Sequence, residues 1–154
     1  MFDTFRGLPV HALVVHGVVV LVPLAAVGLI AVAVRPAWRR LYAPLVALLA
    51  TAALALVPVA TMSGSKLEER VNAGGVVAKQ IQDHEDMARL VIWPTLAMWL
   101  VALVLLVMDR RGRSGPPMTV LAVVAVLVAL AAAGQVAIAG ELGSTAVWKC
   151  TIGC

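Results

Sequence analysis

Charge is scarce in this sequence. Asp, Glu, Lys and Arg together make up 13% of its 154 residues, whereas 62% of the residues are hydrophobic. Soluble domains usually contain about 25% charged and about 45–50% apolar residues. One core cannot hide this much apolar surface from water. The composition therefore excludes an ordinary soluble domain and favours an integral membrane protein.

The motifs of familiar enzymes are missing as well. The sequence has no phosphate-binding glycine loop, no nucleophile constellation and no zinc-protease helix. The carboxylates of Glu68 and Glu69 are adjacent, so they point in different directions on a helix. The sequence thus gives no support for an enzyme of a familiar type.

The positive charge that is present indicates membrane topology and not nucleic-acid binding. The formal net charge is +4, and much of the Arg stands at the ends of apolar runs. This placement is how membrane proteins fix their orientation. We therefore expect a lipid bilayer and no nucleic acid as the partner. The first apolar run exceeds the roughly 7–15 residues of a signal-peptide core, so we interpret it as a retained span.

Four apolar runs are long enough for a helix of about 20 residues to cross a bilayer. They cover about 12–34, 42–62, 88–108 and 119–139. None alternates polar and apolar residues as a barrel strand does. The sequence predicts an all-α, integral membrane four-helix bundle forming a single domain over residues 1–154. No internal repeat stands out.

The connections between the runs predict the orientation. The two short ones, 35–40 and 109–117, each contain three Arg. The longer segment 63–87 has mixed charge and two short helical patterns with a break at Gly74-Gly75 between them. Short Arg-rich connections stay in the cytoplasm. Both termini and a loop over 63–87 are then extracytoplasmic.

The three histidines are the candidate cofactor-binding residues, since this topology places His11, His16 and His84 toward one membrane face. Two imidazoles on facing helices, first of all those of His16 and His84, are able to ligate haem b iron. Three could hold a transition metal, with Glu85 as an outer partner or ligand. However, His11 and His16 are separated by about 140° around a helix, so both cannot point at one ion.

Two other functions remain open. The histidines are also suited to hydrogen bonds between helices in a cofactor-free structural or accessory subunit of a larger respiratory or redox complex. A small transporter would need a polar path, for which the spans offer mainly Thr51, Thr95 and Gln135.

Cys150 and Cys154, at the end of the chain, have two interpretations. Outside the cytoplasm a small disulfide loop is the default. A C-x-x-x-C pair is also able to bind copper, which is thiophilic.

Three short motifs resemble a known family. Residues 8–16, LPVHALVVH, resemble the His-Pro-x-x-Val-His opening of a family of bacterial four-helix membrane proteins of unknown function. His84-Glu85 is similar to the family's later His-Glu pair, and 143–148, GSTAVW, to its ending. Ala12 replaces the motif's proline. The resemblance implies a multi-pass protein of the bacterial plasma membrane, with His11, His16, His84 and then Glu85 as its site, and its relatives joined to cytochrome-c-like domains imply redox work.

Overall fold

The structure, a computed structural model, describes residues 4–5, 8–71 and 75–153, with side chains for 10–68 and 77–148. These ranges contain the helices α1 (Val10–Val34), α2 (Pro36–Val71), α3 (Gly75–Leu90), α4 (Ile92–Arg110) and α5 (Pro116–Gly153). Ahead of α1, the two-residue strands β1 (Thr4–Phe5) and β2 (Leu8–Pro9) pair antiparallel. Apart from this short pairing and the connections at Arg35, Val91 and 111–115, the described chain is helical.

Four helical stretches of the described chain are long and apolar enough to cross a membrane. They are Val10–Val34, Pro36–Glu68, Val77–Arg110 and Pro116–Trp148. We call Val77–Arg110, which α3 and α4 form together, the third span. Val27, Leu48 and Leu127 are 65%, 65% and 61% exposed, and such a surface requires lipid around it. The prediction of an all-α membrane protein with four spans is confirmed.

The helices form a ring around a core of small side chains. α1 packs against α2 and α5, and the third span packs against the same two helices. α4 therefore lies diagonally opposite α1. The fully buried positions are mostly alanine and valine, with Leu29, Met98 and Leu105 as the largest side chains. Small residues allow close helix approach in lipid, where apolar surfaces gain little by leaving the solvent.

Gly17 and Gly28 show this close approach between α1 and α2. A methyl group on Gly17 would lie 2.8 Å from Leu56 Cδ1, and one on Gly28 would lie 2.9 Å from Val46 Cγ2. The groove that these glycines make along α1 is therefore filled by the neighbouring helix.

Pro94 divides the third span. It has no N–H, so the carbonyl four residues earlier loses its helical donor and α3 separates from α4. The N–H of Val91 donates to Ala88 O at 3.2 Å. The amide of Gln135 on α5 donates to Met87 O at 3.0 Å. A side chain from the neighbouring helix thus pairs a carbonyl at the break.

Both short connections lie at one end of the bundle, since Pro44 on α2 lines the same surface groove as Arg110 and Arg111. At this end the buried Arg39 donates from Nε to Val32 O at 2.9 Å and from Nη2 to Ala33 O at 2.7 Å. These are carbonyls of the last turn of α1, which have no helical donor. One of the arginines that predicts the topology therefore also caps a helix.

The segment 63–87 differs from the predicted loop. α2 continues to Val71, and α3 begins at Gly75, so most of the segment prolongs two helices of the bundle. Contacts to neighbouring helices supply the reason: Ser65 of α2 bonds to Glu85 of α3, and His84 of α3 bonds to α5. Sequence hydropathy marks where a helix loses its apolar character, and it does not mark where the helix ends.

Two threonines of the spans provide a matched test of polar pairing. Thr51 Oγ1 accepts from Trp99 Nε1 at 2.8 Å and donates to Ala47 O. The buried Thr95 Oγ1 has no partner among the described residues. We predict that Thr51→Val lowers the free energy of unfolding by about 1 kcal/mol, because it leaves an indole N–H unpaired. Thr95→Val removes an unpaired hydroxyl and should leave the stability unchanged or higher.

Thermal unfolding of both variants in the same detergent measures the difference. Equal destabilisation by the two substitutions would contradict this assignment of the hydrogen bonds.

Candidate functional site

His11, in the first turn of α1, joins that helix to α2. Its Nδ1 lies 3.0 Å from Ala60 O and 3.3 Å from Ser63 Oγ. Because a carbonyl oxygen only accepts, Nδ1 carries the proton and donates it. The ring lies against Gly64, where a methyl group would be 3.0 Å from His11 Cε1. α2 thus provides both an acceptor and a gap for the imidazole.

His84 makes the same contact between α3 and α5. Its Nδ1 donates to Ala139 O over 2.9 Å. The ring lies against Gly143, where a methyl group would be 2.9 Å from His84 Cε1. In both cases the glycine stands four residues after the residue whose carbonyl accepts the hydrogen bond. Each imidazole is therefore held by one turn of a neighbouring helix.

His11 and His84 lie at the same end of the bundle. This is the end at which α1 and α3 begin and which the later turns of α2 and α5 reach. We call these two side chains the histidine pair.

His16 lies apart from the histidine pair. Its side chain is exposed, and its Nδ1 donates to Ala12 O within α1. Residues five apart differ by about 140° around a helix, so His16 turns away when His11 faces α2. The structure thus places His11 at the same end as His84, whereas the sequence favours His16 and His84 as the haem ligands, with His11 as the third candidate.

Glu85, beside His84, joins α3 to α2. Its Oε1 accepts from Ser65 Oγ at 2.5 Å and from Arg89 Nη2 at 2.9 Å. The Glu85 side chain is 19% exposed and that of Arg89 is 61% exposed. Water screens an exposed ion pair, so the bond to Ser65 is the stronger tie. Glu85 therefore acts here as a link between helices.

Other metal ligands do not gather around the histidine pair. Within the described side chains, no group of three or more His, Cys, Asp or Glu is placed to hold a metal ion. Cys154 lies outside the described residues, and Cys150 is described only as backbone of α5. The disulfide and the copper site at these thiols therefore stay predictions. Among the described residues the site is a two-imidazole site.

Sequence reasoning missed the groups that hold these imidazoles, namely Gly64, Gly143 and the carbonyls of Ala60 and Ala139. A usable signal was the spacing Ala-x-x-x-Gly, which occurs at 60–64 on α2 and again at 139–143 on α5. A carbonyl acceptor carries no side-chain signal, so its role appears only when the helices are placed together.

A four-spanning membrane bundle with interhelical histidines at one end is the class of protein that these features define. The chain belongs to the family described as "Predicted membrane protein (DUF2231)", which matches residues 7–154. The resemblance inferred from the motifs is thereby confirmed. No curated protein and no solved structure matches the chain.

The Ser65–Glu85 bond yields a prediction about stability. A hydrogen bond to a charged group contributes about 1.5–3 kcal/mol, whereas an exposed ion pair contributes about 0–1 kcal/mol. We predict that Ser65→Ala and Glu85→Ala lower the midpoint of thermal unfolding by similar amounts. Arg89→Ala should have little effect, and Asp86→Ala serves as a control on an exposed neighbour. If Arg89→Ala lowered the midpoint of thermal unfolding more than Ser65→Ala, the bond from Ser65 to Glu85 would not be the stronger of the two.

Proposed function

We propose that this membrane protein binds haem b between His11 and His84 and transfers electrons in the bacterial plasma membrane. One observation carries the proposal: each imidazole donates its Nδ1–H to a carbonyl of a neighbouring helix. This bond fixes the ring and leaves the Nε2 lone pair for a metal, which is how proteins prepare histidine ligands. The two lone pairs belong to rings at the same end of the bundle.

The number of ligands favours haem over a bare metal ion. A structural zinc site needs four protein ligands, and a catalytic one needs three. The described side chains offer the histidine pair and no group of three. Haem brings four nitrogens of its own, so two imidazoles complete the coordination of its iron. A transition-metal ion held by His11, His84 and a further ligand such as Glu85 or His16 is the less favoured form of the proposal.

The chain's own residues would set the properties of the haem. The carbonyls of Ala60 and Ala139 orient the rings and raise the basicity of Nε2. The apolar helices lower the dielectric around the iron, and both factors set its reduction potential. When bound, the haem supplies a one-electron redox centre. A larger respiratory or redox complex in the same membrane would exchange electrons with it.

A cofactor-free accessory subunit is the second candidate, and the same hydrogen bonds support it. Without any ligand they already join α1 to α2 and α3 to α5. Transport has less support, because Gln135 donates to Met87 O and Thr51 pairs with Trp99. These groups are occupied in holding helices together. Loss of flux in a Gln135→Leu variant would be needed to favour transport.

The haem proposal predicts a spectrum and its loss. Protein produced with sufficient haem should show a reduced-minus-oxidised absorption change at near-stoichiometric yield. His11→Ala and His84→Ala should each lower the haem content at least about tenfold, because each removes one of the two imidazoles that would hold the haem. His16→Ala is the matched control and should retain the haem, since its ring points away from the histidine pair.

Folding and ligation can be separated in this experiment. Hydrogen bonds between membrane helices average about 0.6 kcal/mol, so the two variants should still fold and elute as the parent protein does. Added imidazole should restore part of the haem content of His11→Ala and His84→Ala. A colourless parent protein, with neither haem nor metal by elemental analysis, would leave the accessory-subunit function in its place.

The proposed orientation places both termini and the histidine pair outside the cytoplasm. Its basis is the arginine-rich short connections at the opposite end of the bundle. We predict that a membrane-impermeant thiol reagent labels Cys150 and Cys154 in intact, pre-reduced cells. A cysteine at Gly112, in the short connection between α4 and α5, should be labelled only after permeabilisation. The reverse pattern would invert the orientation.

A further inference from the structure

The two histidine contacts are the same arrangement, repeated along the chain. We call residues 10–71 the first half and residues 75–153 the second half. The leading helices are α1 and the third span, and the returning helices are α2 and α5. In the first half, His11 of α1 contacts Ala60 O and Gly64 of α2. In the second half, His84 contacts Ala139 O and Gly143 in the same way. The correspondence shifts the leading helices by 73 positions (11 to 84) and the returning helices by 79 (64 to 143).

The buried residues follow the same two shifts. In the leading helices, the matching buried residues are Val18 and Val91, Val22 and Thr95, Ala25 and Met98, Leu29 and Ala102, and Val32 and Leu105. In the returning helices they are Arg39 and Met118, Val46 and Ala125, Ala50 and Ala129, Ala53 and Ala132, Val57 and Val136, and Ala60 and Ala139. Every buried residue of the third span and of α5 thus has a buried counterpart in the first half.

Helical periodicity alone does not require this agreement. Any two bundle helices share a spacing of three and four residues, so their buried faces can be matched at several shifts. Here the shifts are set by the histidines and glycines, and the buried faces then agree without further adjustment. The two shifts differ by six positions. The connection within each half, Arg35 in the first and 111–115 in the second, accounts for four of them. The other two arise because α4 ends three residues beyond the counterpart of Val34, while α5 begins one residue beyond the counterpart of Pro36.

The packing between the halves follows the same symmetry. α1 packs against α2 of its own half and α5 of the other. The third span packs against α5 of its own half and α2 of the other. A two-fold rotation about an axis parallel to the helices exchanges these contacts. It also exchanges His11 with His84, and both rings lie at the same end because both leading helices begin there.

We infer that the chain consists of two structurally equivalent helical hairpins, and that their pseudo-two-fold axis passes through one ligand site to which each hairpin contributes one imidazole. This inference rests on the proposed function for its ligand. The ligand class is a single metal centre that accepts an equivalent nitrogen from each side, as haem iron does with two axial imidazoles. His16 has Arg89 as its counterpart, so it has no place in a symmetric ligand set.

Gly64 and Gly143 are then equivalent positioning residues. A methyl group at either position would lie within 3.0 Å of an imidazole carbon, so the ring must move. At Gly140, also on α5, nothing lies within 4 Å of an added methyl group. Gly64→Ala and Gly143→Ala should therefore weaken haem binding by similar factors, on the order of tenfold, since each displaces one axial ligand. Gly140→Ala is the matched control and should leave haem binding unchanged.

A double-mutant cycle in the haem-free, full-length protein tests the equivalence without the ligand. Residues in contact show non-additive effects, whereas separated residues add. Gly64→Ala and Gly143→Ala should each lower the unfolding temperature by a few degrees, on the order expected for about 1 kcal/mol. Combining Gly64→Ala with His11→Ala, or Gly143→Ala with His84→Ala, should abolish the glycine effect. In the crossed combinations, Gly64→Ala with His84→Ala and Gly143→Ala with His11→Ala, the effects on the unfolding temperature should add.

The two experiments separate the two claims. Matching non-additive cycles without any haem in the parent protein would support the equivalent hairpins and overturn the ligand site. A non-additive effect in one half alone, or haem binding that depends on one glycine only, would overturn the equivalence while leaving the haem proposal standing.

Discussion

Close approach of helices at alanine and glycine positions is the constraint on which the rest of this structure depends. Lipid chains are as apolar as the helices, so burying one helix against another gains little from exclusion of solvent. The helices adhere instead through van der Waals contact and hydrogen bonds between them. Alanines line the core of α2 and α5, and Gly17 and Gly28 admit Leu56 and Val46 between the helices. These small residues bring the polar groups of neighbouring helices within bonding distance.

The candidate site is a consequence of this packing. A carbonyl in a helix is already bonded along the helix, and a large side chain would keep a neighbouring ring away from it. Gly64 and Gly143 remove that obstacle one turn beyond the accepting carbonyls. Each imidazole then reaches a carbonyl with Nδ1. The contacts that hold the bundle together at this end thus also set the tautomer of both rings and the availability of Nε2.

The sequence predicted the spans well because hydropathy reports directly on which segments lipid surrounds. It also placed the histidines at one end of the bundle. It favoured His16 over His11 as the haem ligand, although His11 stands seven residues before the buried Val18 and so shares the buried face of α1. It predicted two short helical patterns in 63–87 but treated the segment as a loop, because the sequence does not reveal the cross-helix bonds that hold these helices in the bundle.

The correspondence between the two halves was not visible in the sequence for a physical reason. Core packing restricts whether a position is buried more than which residue occupies it, so Val22 matches Thr95, and Arg39 matches Met118. What the halves share is the spacing of buried positions along their helices, and this spacing becomes visible only when burial is known. The histidine and the glycine keep their identity in both halves, because the contact between the imidazole and the neighbouring helix requires both.

The protonation of the imidazole nitrogens can be measured by ¹⁵N magnetic resonance of histidine-labelled, haem-free protein in detergent. This measurement tests whether both imidazoles donate from Nδ1 to a neighbouring helix. The pH should lie about two units above the usual imidazole pKa of about 6.5, so that neutral rings are observed. Single His→Gln variants assign each signal. We predict that His11 and His84 both carry their proton on Nδ1 and leave Nε2 unprotonated. A proton on Nε2 in either ring would contradict both the contact to the neighbouring helix and the ligand role proposed for that histidine.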